Sequence, residues 1–367
     1  MIPLAILAAL FALISLLAGL WALFVYRHPG KPRADEVHFI ATEDGWRIAA
    51  HRYRPKASGA HGEPVLLCHG IFANHRNFEA PPGGAIVGSL TEAGYDCWAL
   101  DYRICRSAQA PAGEWFEATL DDVLLKDLPA AIQHIQERTG FSRIHWVGHS
   151  LGGMLFFAYE TVCGAEAIAS AAVLGAPPSF EGVHMPRRRL LGLLFYYVPS
   201  ALSFLVRLAA PIAGFMRLRL RLVPINWANV HPDVSPGAFF NLVDVAPYPA
   251  AREAEEWAVT GQWLMNHGRT DVAAETNKLR TPLLGLYAAY DPLARRDNVT
   301  RLFNSLSHDD KKLIVLSTEF GYSADYKHVD LAFARHGREE VHRPIVEWLR
   351  AYPATEVETA ASLAGSE

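Results

Sequence analysis

Hydrophobic positions along the chain fall into short blocks of two kinds. Runs that are apolar throughout, or that alternate with a period of two, recur at Glu36–Ala41, Trp46–Tyr53, Pro64–Cys68, Tyr95–Leu100, Arg143–Val147, Ala171–Gly175, Pro282–Tyr287 and Lys312–Leu316, and these predict strands. Between them lie stretches with helical spacing. Thr119–Thr139 carries Leu120, Val123, Leu124, Leu128, Ile132 and Ile135 on one side, and Gly140 stops it. Further helices are expected over Asn77–Ala93, from Leu151, over Asn298–Leu306 and over Glu339–Leu349. Asp44-Gly45 joins the first two strands as a hairpin turn. Strands alternating with helices imply an α/β fold, a mostly parallel sheet with helices on both faces and an antiparallel opening hairpin. The core is expected in two parts, residues 36–176 and 281–351.

Three segments break this alternation. Residues 1–26 contain no charged side chain and, as a helix, would span roughly 39 Å, more than a bilayer core of ~30 Å requires. Trp21 and Tyr26 sit at the downstream end, where amphipathic rings favour the interface, and no basic n-region or A-x-A site marks a cleaved signal peptide. A retained single-pass transmembrane helix is expected. Arg27, Lys31 and Arg33 follow it in a linker over 27–35, which places the C-terminal body in the cytoplasm by the positive-inside tendency.

The second break, residues 177–280, is an insertion of about 100 residues, too long for a loop without structure of its own. From Arg187 to Pro224 it holds seven arginines and no Asp, Glu or Lys. Prolines divide it into pieces shorter than the ~20 residues a bilayer crossing needs. It reads either as a cap with solvated arginines or as a cap resting on anionic membrane. The third break is the tail, 352–367, which is mostly small or polar and is expected to be disordered.

Composition narrows the function classes. With 34 basic and 38 acidic residues the net charge is −4, which argues against a general nucleic-acid binder. Four cysteines without a CxxC pair make no disulfide scaffold, and no HExxH string supports a metal site.

The chemistry-bearing string is Gly148-His149-Ser150-Leu151-Gly152, a GxSxG pentapeptide between a strand and a helix. That is the setting of a nucleophile elbow, a sharp turn that lifts a serine hydroxyl to the carboxyl end of a sheet. A serine needs a base, and the base an orienting acid, in the chain order Ser, Asp or Glu, His. Asp291 and His328 each follow a strand in that order, with Asp297 and His336 as fallbacks. Asp325 and Asp330 flank His328 too closely to serve as the acid. For a tetrahedral intermediate, the Leu151 amide and the Ile71 amide, on the loop after Pro64–Cys68, are the candidate oxyanion donors. His69 and His149 are expected to hold loops by hydrogen bonds.

His69-Gly70, GHSLGG at 148–153, Tyr290-Asp291-Pro292 and His328-Val329-Asp330 together resemble the α/β-hydrolase superfamily over roughly residues 36–351, and the HG-Ile loop with the apolar cap is similar to its acid-lipase and esterase branch. The resemblance implies an eight-stranded sheet with a lid inserted after strand six. It departs at Ile104-Cys105-Arg106-Ser107, where relatives often carry a glycine-rich turn. The implied function is a membrane-anchored serine hydrolase of carboxylic esters, with a small-molecule ester or lipid as substrate and no metal or organic cofactor. The same triad can also run acyl transfer or thioester and amide hydrolysis, and the fold can serve as a non-catalytic lipid binder.

Overall fold

The computed structural model describes residues 33–57, 59–81, 85–183, 225–234, 241–244 and 246–356, with scattered helical positions between Ala12 and Leu23. Eight strands form one sheet: β1 (Glu36–Ala41), β2 (Arg47–Tyr53), β3 (Pro64–Cys68), β4 (Asp96–Asp101), β5 (Ile144–His149), β6 (Ile168–Leu174), β7 (Leu283–Ala288) and β8 (Lys311–Leu316). Their spatial order is β1-β2-β4-β3-β5-β6-β7-β8. β2 runs antiparallel to both of its neighbours, and every other pairing is parallel. The chain therefore returns through crossover helices, which cover both faces.

Those faces are legible in the strands. On β3, Leu66 and Cys68 join one buried cluster and Val65 and Leu67 the other. The first cluster packs against α2 (Leu128–Thr139), α3 (Leu151–Cys163) and α5 (Arg296–Ser305); the second packs against α1 (Ile86–Glu92) and α6 (Arg343–Ala351). Period-two alternation within a strand buried on both sides accounts for this split.

Two expected helices are broken for local reasons. In place of one helix over 77–93 there is a short 3-10 turn, His75–Phe78, capped by Asn74, and then α1. Pro81 and Pro82 lack the amide a continuous helix needs. The long helix begins as expected at a Thr119 cap, reciprocated by Asp122 in a capping box. It loosens to a π turn over Val123–Asp127 just before Pro129, and Gly140 ends it with φ 79°.

The segment between β6 and β7 contains α4 (Tyr248–Thr260) and a two-stranded ribbon, Leu264–Met265 with Thr270–Asp271. Trp257, Trp263, Met265, Val272 and Leu279 pack into the same cluster as α2 and α3, so this stretch is continuous with the core's packing. The arginine-rich stretch 187–224 lies outside the described residues. The expected anchor over 1–26 lies almost wholly outside them too, and no helix among the described residues is long and apolar enough to cross a membrane. The tail departs from expectation at its start. Ser142 and Arg143 donate their amides to Thr355 O, and Ala354 N donates to Glu63 Oε2. Order there comes from backbone hydrogen bonds, which leave no mark in composition; residues 357–367 lie outside the description.

Candidate active site

Ser150 sits between β5 and α3 with φ 55° and ψ −118°, a conformation that a non-glycine residue holds only when its surroundings enforce it. The enforcement is visible on either side. A Cβ on Gly148 would overlap the Gly152 carbonyl, and a Cβ on Gly152 would overlap the Cys68 carbonyl. The Ser150 amide is tied to Leu174 O at 2.8 Å. Its hydroxyl therefore stands at the carboxyl edge of the sheet, at the positive end of α3.

Asp291 and His328 converge on it. His328 Nε2 lies 2.8 Å from Ser150 Oγ, and His328 Nδ1 lies 2.7 Å from Asp291 Oδ2. Asp291 also serves as a turn residue: its Oδ1 accepts the amides of Leu293 at 2.8 Å and Ala294 at 3.1 Å. The Asp-Pro turn and the carboxylate partner of His328 are thus one residue using two oxygens. Burial pushes the Asp291 carboxyl up, but the charge and hydrogen bond of His328 and the two amides more than reverse this, holding its pKa below the ordinary value. For His328, burial pulls the pKa down, and the Asp291 charge and hydrogen bond, with a smaller share from Asp330, raise it above the ordinary 6.5. The fallback residues do not reach this point: Asp297 is exposed and pairs with Arg295, and His336 is exposed.

Both loop histidines have the structural partners expected of them. His149 Nε2 lies 3.1 Å from the carbonyl of His328, so the elbow holds the loop that carries the imidazole. Burial, and then the His328 charge, pull the His149 pKa down to about 3, so it stays a neutral donor. His69 Nδ1 lies 2.7 Å from Gly70 O, and Tyr102 Oη donates to His69 O at 3.2 Å. Gly70 backs directly onto the serine, since a Cβ there would come 3.3 Å from Ser150 Cβ. Ile71 follows it in the same loop. Leu151 opens α3, where the first amides have no intrahelical acceptor.

Sequence reasoning missed two contributors. Gly175 follows β6 with φ 55°, and a Cβ there would press on His328 Nδ1 at 3.2 Å and Asp291 Oδ2 at 3.3 Å. The other is a hub around Asp101, at the end of β4. Its carboxylate accepts His75 N at 2.6 Å and Ser107 Oγ at 2.7 Å, with His75 Nδ1 at 2.8 Å and His51 Nε2 at 3.3 Å. The rings of His51 and His75 stack at 3.5 Å. A signal existed in the register: Ala49 pairs with Asp101, which puts His51 on the same face one pleat away, but register is set by pairing and not by either strand alone.

Two sets of metal-type donors occur among the described residues, His51/His75/Asp101 and His69/Asp101/Cys105. Both use Asp101, whose oxygens already receive a backbone amide and a serine hydroxyl, so the cluster reads as a hydrogen-bonded anchor for the 69–75 loop. The neighbouring stretch that departs from the glycine-rich pattern is built of such anchors: Arg103 bonds Asp127 and Asp44, and Arg106 Nε bonds Asp244 Oδ1 at 2.6 Å.

A family model described as alpha/beta hydrolase fold matches residues 63–319. Human gastric triacylglycerol lipase is 31% identical over 176 residues, which is 41% of this chain and 44% of its own. Lipase 1 of Drosophila melanogaster is 30% identical over 129 residues, 33% of this chain and 28% of its own. The chain therefore spans less than half the length of these relatives. Among solved structures, an esterase from Exiguobacterium antarcticum superposes with a TM-score of 0.60 at 18% identity, covering 86% of this chain and 100% of that one. A thermophilic esterase from Thermogutta terrifontis gives 0.56 at 19% identity, over 86% and 99%. At these identities the superpositions bear on fold alone.

Proposed function

Because the chain belongs to the α/β-hydrolase family, we propose that it is a serine hydrolase of carboxylic esters, with Ser150 as nucleophile, His328 as general base and Asp291 as the orienting acid. One observation carries the reading: Ser150 Oγ, His328 Nε2, His328 Nδ1 and Asp291 Oδ2 form an unbroken hydrogen-bonded line, with separations of 2.8 and 2.7 Å. Ser150 Oγ passes its proton to His328 Nε2 as it bonds to the ester carbonyl carbon. The imidazolium is stabilised by Asp291. The carbonyl oxygen, now an oxyanion, takes hydrogen bonds from the Leu151 and Ile71 amides. Collapse breaks the bond to the alcohol, which leaves with the proton from His328. Water, deprotonated by the same imidazole, then releases the acid and restores Ser150.

The substrate is read as a small-molecule or lipid ester with a hydrophobic acyl part. Support comes from curated relatives named as lipases and from the apolar character of residues 1–26 and of the insertion. Residues 1–26 are read as a single-pass anchor and the body as cytoplasmic, supported by the uncharged span and by Arg27, Lys31 and Arg33 after it.

Labelling of the full chain in detergent with a fluorophosphonate probe, followed by peptide mapping, tests this. Modification at Ser150 that is lost in Ser150→Ala is the expected result. A folded protein that neither labels nor hydrolyses p-nitrophenyl butyrate, or that labels equally in the variant, overturns the reading.

A further inference from the structure

The loop that carries His328 is gripped from outside the α/β core. Segment Ile225–Val234, from the insertion, lies along residues 325–335. Val230 bridges Ala334, His231 N donates to Phe333 O at 2.8 Å, and Arg335 N donates to Asn229 O at 2.6 Å. Asn226 Nδ2 donates to Asp325 O at 2.8 Å. Underneath, Ile225, Val230 and Val234 share a small apolar cluster with Ala332 and Phe333, and with Ala73 from the oxyanion loop.

Asp330 is the polar centre of this grip. It is 0% exposed. One oxygen accepts the Asn226 amide at 2.8 Å, the other accepts Asn229 Nδ2 at 2.8 Å, and Lys327 N lies 3.3 Å from both. The Lys327 amide adjoins His328, so the carboxylate closes its own loop around the imidazole while fastening that loop to the insertion. On the other side, His149 holds the His328 carbonyl. A buried carboxylate is retained at a cost of several kcal/mol unless donors surround it, and these donors come from two separate parts of the chain.

We propose that Asp330 is a positioning residue: through Asn226 and Asn229 it uses the inserted segment as a brace that keeps His328 in register with Ser150. This rests on the hydrolase reading above. It follows that Ile225–Val234 stays fixed on the base loop during turnover and that the insertion contributes to rate through this stretch, apart from any part it takes in substrate binding. A misplacement of about 1 Å at a base is enough to cost on the order of 100-fold in rate.

The test compares wild type, Asp330→Asn, Asn229→Asp and the swap Asp330→Asn/Asn229→Asp as full chains in detergent. Fluorophosphonate labelling rate and the kcat and KM for p-nitrophenyl butyrate are read, with thermal unfolding beside them. Asp330→Asn turns its amide toward the Asn229 amide, and kcat is expected to fall about 10- to 100-fold with KM within about twofold. Asn229→Asp sets two carboxylates against each other and is expected to fall at least as far. The swap restores one donor and one carboxylate across the same contact, while the amide oxygen introduced by Asp330→Asn still accepts from Asn226 N. Its kcat is therefore expected to return to within about threefold of wild type. A folded Asp330→Asn with wild-type kcat and labelling overturns the proposal, and so does a swap that regains stability without regaining kcat. Should Asp330→Asn fail to fold, Asn229→Ala decides: an unchanged kcat overturns the proposal and a several-fold fall at constant KM supports it. Wild type that does not label at Ser150 defeats the hydrolase reading and this inference together, whereas labelling unaffected by Asp330→Asn defeats this inference alone.

Discussion

Two buried constellations of histidine and aspartate lie at the carboxyl edge of the same sheet, and they are built for opposite ends. In one, Asp291 faces a single imidazole, whose far nitrogen meets a serine hydroxyl. In the other, Asp101 faces His51 and His75, but its remaining capacity is taken by a backbone amide and Ser107. The first leaves a proton path with an open end at Ser150. The second closes on the scaffold, with no nucleophile among the described residues at either ring, and fixes the loop that carries Ile71. A buried His–Asp contact is therefore no sign of catalysis by itself; the sign is a nucleophile at the far nitrogen and a strained elbow holding it there.

Asp291→Asn should break the comparison most sharply. The amide keeps the size of the side chain but no longer fixes the His328 tautomer or stabilises the imidazolium, and kcat for a short ester should fall on the order of 10⁴-fold with little change in KM. Steady-state kinetics on the purified full chain measures this. A loss under tenfold would mean that the two constellations do not differ as described.

Asp101→Ala should act on folding instead. It leaves the His75 amide and the buried His75 imidazole without their acceptor and takes the charge from beside His51, a change worth about 3 kcal/mol, or on the order of 100-fold in the folding equilibrium. Urea unfolding should show a lower midpoint, while the folded fraction keeps kcat within about tenfold of wild type. A 10⁴-fold loss of kcat at unchanged stability would place Asp101 in the chemistry and collapse the distinction.

Acid should also separate the two. In the proposed mechanism His328 acts as neutral imidazole, and its pKa is raised in the folded protein, so protonation should remove activity from a pH above the ordinary 6.5 downward, at about tenfold per unit once below the raised value. Asp101 behaves in the reverse sense. Burial pushes its pKa up, but the neighbouring His75 and His51 outweigh this and hold it well below the carboxylate range, so the hub stays ionised where the site shuts down. The pH profile of kcat/KM should therefore show an acid limb above 6.5. A limb at or below 6.5 would mean that Asp291 does not support His328 as the geometry requires.

What could be read in the chain follows the same division. The elbow announces itself because its glycines and serine are adjacent in sequence, and Asp291 and His328 follow from strand ends in a fixed order. Strand positions follow because apolar runs mark them directly; β6 starts at Ile168, three residues before its expected start at Ala171, because the buried Ser170 interrupts the apolar run. The hub was invisible, since His51, His75 and Asp101 are far apart along the chain and come together only through strand register. Asp330 lies too close to His328 in sequence to read as the acid. Its partners, Asn226 and Asn229, sit about 100 positions upstream in a segment whose period predicts no element.

The smallest change should sharpen the comparison from the scaffold side. Ser107 is half-buried and donates to Asp101 Oδ2 at 2.7 Å, an oxygen that also has His75 Nδ1 at 2.8 Å. Ser107→Ala removes one neutral donor to a carboxylate that keeps its other partners. The expected cost is about 1 kcal/mol, a shift of about 1–2 °C in melting temperature for a domain of this size. The 69–75 loop remains held by the His75 amide, so kcat and KM should stay within twofold, and differential scanning calorimetry beside ester kinetics reads both quantities on one preparation. If Ser107→Ala instead slows turnover tenfold at unchanged melting temperature, the hub would be transmitting to the oxyanion loop and could not be regarded as scaffold alone.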